Sequence, residues 1–304
     1  MLPFLGRKIL EAIAVCLFVS ALTFLLVNWT GNLAVSLAGE GADVEVHRIS
    51  ALYGLDRSVG VRYLQWVAHA ARGDLGESYF SHERVGAMIR ARLPVTGVLA
   101  LASLLLALLI AIPMGVGAAI RPGSWFDRLS RTIAVLAQAM PSFWTALLLI
   151  MLFSVELRWL PPSGTDSWRN FVMPALALAW FVMPVLLRLT RAGMIDVLSA
   201  DYIRTARAKG LPRRTVLFKH ALRNAILPVV SVATVQLGLL LGGSIVIENV
   251  FALNGIGLMA WDAINRSDYP VLQGIVLIVA LLFVLLNLAA DLINALLDPK
   301  LRTR

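Results

Sequence analysis

Apolar residues in this chain gather into six long blocks, with little of the alternation that marks a half-buried strand or an amphipathic surface helix. The blocks run over residues 9–27, 95–120, 129–153, 171–187, 228–247 and 271–292. Each approaches the roughly 20 apolar residues that cross a bilayer as a helix. The pattern predicts an all-α membrane protein with six transmembrane helices. The first block follows Arg7 and Lys8, as a signal peptide would, but it is long, ends in Asn28-Trp29 and lacks a small-residue cleavage pattern. It reads as a retained anchor.

Between the blocks, polar residues divide unevenly. The amino end carries Arg7 and Lys8, and the loop after the second block carries Arg121, Arg128 and Arg131. The stretch 188–227 holds Arg188, Arg191, Arg204, Arg207, Lys209, Arg213, Arg214, Lys219 and Arg223, and the carboxyl tail adds Lys300, Arg302 and Arg304. The opposite loops, near 154–170 and 251–270, hold only Arg158, Arg169 and Arg266. Positively charged short loops stay in the cytoplasm, so both termini and the basic loop are expected there. Residues 28–92 then lie outside. Their arginines are balanced by Glu40, Asp43, Glu45, Asp56, Asp74, Glu77 and Glu83, and long loops weigh little in topology. Apolar positions over 44–71 at mixed helical spacing and a turn at Gly73-Asp74-Leu75-Gly76 predict a small ordered cap.

Composition narrows the chemistry. Of 304 residues, 59% are hydrophobic and 15% charged, against about a quarter charged in a soluble domain. The net charge of +9 lies in loops beside spans, which the loop-charge rule explains better than nucleic-acid binding does. Cys16 is the only cysteine, and His47, His69, His82 and His220 are scattered, so neither a disulfide nor a metal centre is supported. A P-loop needs Gly-Lys-[Ser/Thr]. The four lysines follow Arg7, Ala208, Phe218 and Pro299, so any ATP site belongs to another subunit. No nucleophile elbow or histidine–carboxylate pair points to an enzyme.

An ion-driven carrier would place ionisable groups at membrane depth. Glu11, Glu248 and Asp291 are the candidates, all near span ends. Glu248 follows the small-residue run Gly242-Gly243-Ser244 and reads as an interfacial carboxylate bonded to a loop, with the run serving helix packing or gating. Pro113, Pro141, Pro174 and Pro184 interrupt the spans, either as static kinks or as bends lining a path.

The stretch Asp201-Tyr202-Ile203-Arg204-Thr205-Ala206-Arg207-Ala208-Lys209-Gly210-Leu211-Pro212 stands apart as a basic, helix-prone segment with a Gly-Leu-Pro stop. It occurs in order with Gly73-Asp74-Leu75-Gly76-Glu77-Ser78, Arg92-Leu93-Pro94-Val95-Thr96, Met140-Pro141-Ser142-Phe143-Trp144, His220-Ala221-Leu222-Arg223-Asn224, Gly255-Ile256-Gly257 and Asp268-Tyr269-Pro270-Val271. Taken together, these fragments resemble the type I ABC importer permeases, and most closely their dipeptide/oligopeptide/nickel branch, over essentially the whole chain. The wider family's Glu-Ala-Ala falls on Arg204-Thr205-Ala206, and Asn254 stands where the branch usually has proline.

The resemblance implies the type I importer permease fold, with residues 1–93 as anchor and extracytoplasmic segment and 94–304 as the permease core, including a cytoplasmic coupling loop over 188–227. It implies that Asp201, Tyr202, Arg204, Thr205, Ala206, Arg207, Ala208, Lys209, Gly210 and Leu211 dock on an ATPase subunit. The expected partners are a second related permease, two ABC ATPases carrying ATP and Mg, an extracytoplasmic substrate-binding protein and membrane lipid. No cofactor is expected on this chain itself. The implied function is ATP-driven import of peptides or peptide-like solutes across a bacterial inner membrane by alternating access. An autonomous ion-coupled transporter or channel is the alternative.

Overall fold

Within a bilayer every face of a spanning helix is apolar, so side-chain size decides which face packs. The computed structural model of the chain describes residues 2–30 and 57–297. In chain order its helices are α1 (Leu2–Thr30), α2 (Val59–Ala70), α3 (Val85–Ile120), α4 (Trp125–Ala139), α5 (Ser142–Leu149), α6 (Val172–Ser199), α7 (Asp201–Ala208), α8 (Leu227–Gly243), α9 (Ile245–Val250), α10 (Ile256–Asn265) and α11 (Tyr269–Leu297). Wider π-type turns occupy Ile150–Glu156 and Thr215–Leu222. Among the described residues the only β pairing is an isolated bridge between Glu77 and Arg84. His47, the acidic residues 40–56 and the tail cations Lys300, Arg302 and Arg304 lie outside the described residues.

Among the described residues, four helices are long and apolar enough to cross a membrane, and two bent pairs bring the number to six if each pair is one span. The bends correct the picture of six simple rods. The third block breaks between α4 and Ser142–Glu156 with an angle of 102°. The cause is Pro141, which lacks an N–H and drives Met140 out of the helical region to a ψ of 125°. The fifth block is preceded by a helical stretch over Thr215–Ala225, which meets Leu227–Gly243 at a bend of 50° where Pro228 opens α8. Residues 188–199, expected in a loop, instead continue α6, because Thr190 and Met194 keep its buried stripe going. Pro113 and Pro184 sit within α3 and α6 without ending them.

The chain forms two units. The first comprises Met1–Pro94 with Gly255–Val284. Here α1 meets α2 through Ser20, whose hydroxyl lies 2.9 Å from that of Tyr63, and through an edge-on contact of Phe24 with Tyr63. The turn after α2 takes positive φ at Gly73 and Gly76 and is braced by Asp74 accepting the Gly76 N–H. Ser78 donates to the buried Asp268 carboxylate, 2.5 Å away, and Asp268 also accepts the Tyr79 N–H.

The second unit comprises Val95–Asn254 with Leu285–Arg304. Along α3, the small residues Ala100, Ser103, Ala107, Ala111 and Ala118 are fully buried, while Leu101, Leu105 and Leu109 face outward. The same inversion holds in α4, where Asp127, Ser130, Ala134 and Ala137 face inward and Val135 and Leu136 outward. Such stripes let backbones approach closely. At Gly115 the approach is extreme: an added Cβ would lie 2.7 Å from the Thr190 Cβ and 3.0 Å from the Leu187 carbonyl oxygen. Gly115→Val is therefore expected to force α3 and α6 apart at a cost of about 1–3 kcal/mol. The readout is the melting temperature of the detergent-solubilised protein. An unchanged value would mean that the two helices separate freely.

Candidate functional site

The sequence segment 201–211 folds as a short helix, α7, followed by a sharp stop. Ala200 is extended and starts it, and Asp201 in the first turn favours the positive end of the helix. Its termination is fully bonded. Gly210 takes a φ of +75°, its N–H donates to the Arg207 carbonyl, and the Leu211 N–H donates back to Ala206. That pair of bonds is a Schellman motif, and glycine supplies the left-handed residue it requires. Pro212 then prevents continuation.

The short helix is strongly two-faced. Ile203 and Ala206 are buried, packed in a cluster with Val116, Ala119, Met194, Val216, Ala221 and Ala225. Asp201, Tyr202, Arg204, Thr205, Arg207, Ala208, Lys209, Gly210 and Leu211 are exposed. Ala206, proposed with them as a contact residue, is mostly turned into the chain, at 7% exposure. Arg204 pairs with Asp201 at 3.3 Å on the surface. Tyr202 is braced from behind, accepting a hydrogen bond of 2.9 Å from the Asn224 side-chain amide. The Asn224 that ends the downstream His220–Asn224 fragment thus holds the helix in place.

A second feature went unrecognised in the sequence. Asp127 is fully buried and accepts from Arg191 Nε at 2.6 Å and Arg191 Nη2 at 2.9 Å, a bidentate pair. It also accepts the Gly123 N–H at 2.8 Å, and Arg131 lies 3.6 Å away. This pair ties the start of α4 to α6 two turns before α7. The available signal was Ser124-Trp125-Phe126-Asp127, a helix-start pattern in which Ser124 caps by accepting the Asp127 N–H. Arg191 had been counted only as loop charge.

Glu248 is the third polar centre. It is fully buried, and its Oε1 accepts from Thr96 on α3 and from Ser244, each at 2.8 Å. These two bonds run to α3 and to the start of α9. Ser244 also marks the break between α8 and α9. Gly242 and Gly243 are exposed, and nothing lies within 4 Å of a Cβ built on Gly243. Of the other depth candidates, Glu11 is paired with Arg7 at 2.9 Å and Lys8 at 3.2 Å, and Asp291 is half-buried in α11. Among the described residues, no group of three metal-ligating side chains converges.

Residues 111–303 match the family described as binding-protein-dependent transport system inner membrane component, and residues 1–100 match the corresponding N-terminal family. The glutathione transport system permease protein GsiC of Escherichia coli strain K12 is 41% identical over 304 residues, covering 99% of each chain. The protein of that name from Salmonella typhimurium strain LT2 is 40% identical over the same span and coverage. Among solved structures, the inward-facing MetNI methionine ABC transporter aligns with a TM-score of 0.59 at 20% identity, over 69% of this chain and 96% of that one. An amino acid ABC transporter with histidines aligns at a TM-score of 0.52 and 15% identity, over 70% of this chain and 94% of that one. At such identities these two speak for the fold alone. The family matches and the permease relatives displace the autonomous carrier. The family name itself implies a substrate-binding protein, and an ABC importer implies a partner ATPase. The chain belongs to the inner-membrane permease components of binding-protein-dependent ABC importers, a multi-pass transport subunit and not an enzyme.

Proposed function

We propose that this permease carries peptide-like solutes of the glutathione class inward, and that α7 is the helix through which an ATPase drives it. The observation that carries the coupling role is the division of α7 into a buried seat, Ile203 and Ala206, and an exposed small-and-basic face. A solvated loop needs positive charge alone; it has no need of a two-turn helix with a bonded stop. The solute class rests on the 40–41% identity to permeases named for glutathione transport. The basic loops put α7 and both termini in the cytoplasm. ATP and Mg belong to the ATPase subunits.

The working assembly pairs this chain with a second, related permease, two ATPases and a binding protein that meets the segment 28–92. ATP-driven closure of the ATPases pulls on α7, and the attached α6 transmits the movement to the spans. The exposed Gly242 and Gly243 at the end of α8 offer a close-contact surface to the second permease. The experiment is a detergent pull-down of the tagged chain from its native operon, followed by reconstitution and uptake of radiolabelled glutathione and dipeptides. ATP-dependent uptake by the recovered complex, requiring the binding protein, is the expected result. Solute transport by the purified chain alone would sink the coupling role, and uptake confined to non-peptide solutes would sink the solute class.

A further inference from the structure

We infer that the surface around α7 is shaped for an acidic groove on the ATPase, with one aspartate or glutamate side chain of that partner seated between Arg207 and Arg213. The inference rests on the coupling role proposed for α7 and specifies its chemistry. A cavity of about 310 Å³ opens beside the helix, lined by Ile120, Leu198, Leu211 and Val216 together with Arg207 and Arg213. This is the small end of the size range of binding pockets, enough for one side chain. The walls come from the end of α3, the end of α6 and the stretch after α7, so the cavity is built from three separate elements. Leu211 is placed at its edge by the backbone bond to Ala206 that closes the Schellman motif.

The two guanidiniums are what give the cavity its preference. Arg204 is answered by Asp201, but among the described residues neither Arg207 nor Arg213 has a carboxylate partner. Two like charges lining one small cavity repel each other, and an anion between them relieves that repulsion while gaining charge-assisted hydrogen bonds. The apolar walls suit the methylene groups of an acidic side chain. The surroundings are mostly of the same sign: Arg204, Lys209 and Arg214 are exposed nearby, against Asp201 on α7 and Asp196 near the end of α6. A partner groove lined with lysine and arginine is excluded by repulsion, so the surface discriminates among ATPases as well as binding one. A protein carboxylate is the occupant we commit to, because the cavity has room for one side chain and lies beside the exposed face of α7 proposed to meet the ATPase.

The test uses the complete importer purified from cells. Arg207→Lys and Arg213→Lys preserve the charge and provide an amine that a carbodiimide joins to any carboxylate in contact. In parallel, hydrogen exchange of the α7 backbone amides with and without bound ATPase reports docking of α7 independently and adds no bulk. The expected result is a lysine adduct to an ATPase aspartate or glutamate beyond the wild-type background from Lys209. Arg207→Glu/Arg213→Glu should also retain at least about tenfold less ATPase. Protection of the α7 amides by the ATPase, with no lysine adduct and undiminished retention in the double reversal, would overturn the acidic seat while leaving the coupling role standing. Absence of that protection as well would overturn the coupling role itself. A phospholipid seen by native mass spectrometry in the wild type, lost on double reversal and accompanied by no protein adduct, would assign the cavity to lipid and overturn the proposal.

Discussion

Ala208→Arg is expected to abolish solute uptake while leaving the permease inserted and folded. Ala208 is exposed near the end of α7 and takes no part in the cluster that seats the helix, which uses Ile203 and Ala206. Because Ala208 lies on the exposed face, a long side chain there should leave the melting temperature at the wild-type value. If the exposed face fills a groove on an ATPase, the added bulk and charge must be accommodated at the interface. Overpacking a fitted contact costs about 1–3 kcal/mol, roughly five- to 150-fold in affinity. The measurement pairs ATP-dependent uptake with recovery of the ATPase on the tagged permease. Normal uptake in a fully assembled complex would remove α7 from the coupling surface.

Asp127→Ala is expected to be the most destabilising single change in the second unit. It removes a fully buried carboxylate that holds Arg191 in a bidentate contact at 2.6 and 2.9 Å. The arginine would be left without its partner, with its side chain only 24% exposed. Breaking a buried pair from one side costs about 3–5 kcal/mol, and the partial exposure of Arg191 places this case toward the lower end. Removing both charges should be milder, since an uncompensated charge is the main source of the cost. Asp127→Asn/Arg191→Met is therefore expected to melt higher than Asp127→Ala. Equal melting of wild type and Asp127→Ala would show that the pair is solvated and carries no strength. The pair also has a mechanical reading. It joins the start of the bent α4–α5 span to the helix that bears α7, so a stably inserted Asp127→Asn should bind ATPase but transport poorly.

Much of this was legible because the bilayer imposes a strong constraint on sequence. A spanning segment must be apolar along its length and helical throughout, so the six blocks located the spans. The α7 stop was equally readable: Gly210 followed by Leu211-Pro212 marks a helix end, since glycine alone takes a φ of +75° without strain. Pro141 indicated a disturbance in the third block, but hydropathy could not distinguish a kink from the observed break of 102°. That depended on how the two halves found separate packing partners.

The sequence by itself determined the number and order of the apolar blocks, the basic face of the 201–211 segment and the family resemblance, because composition, charge and local stops are written residue by residue. The tertiary structure alone decided which face of each span packs. In an apolar solvent, polarity no longer separates inside from outside, and the choice fell to the small residues Ala100, Ala107, Ala111 and Gly115 of α3. It alone also joined Asp127 to Arg191 and Glu248 to Thr96, partners 64 and 152 residues apart. A buried charge or carboxylate must find donors somewhere, but which donors depends on which helices the packing brings side by side.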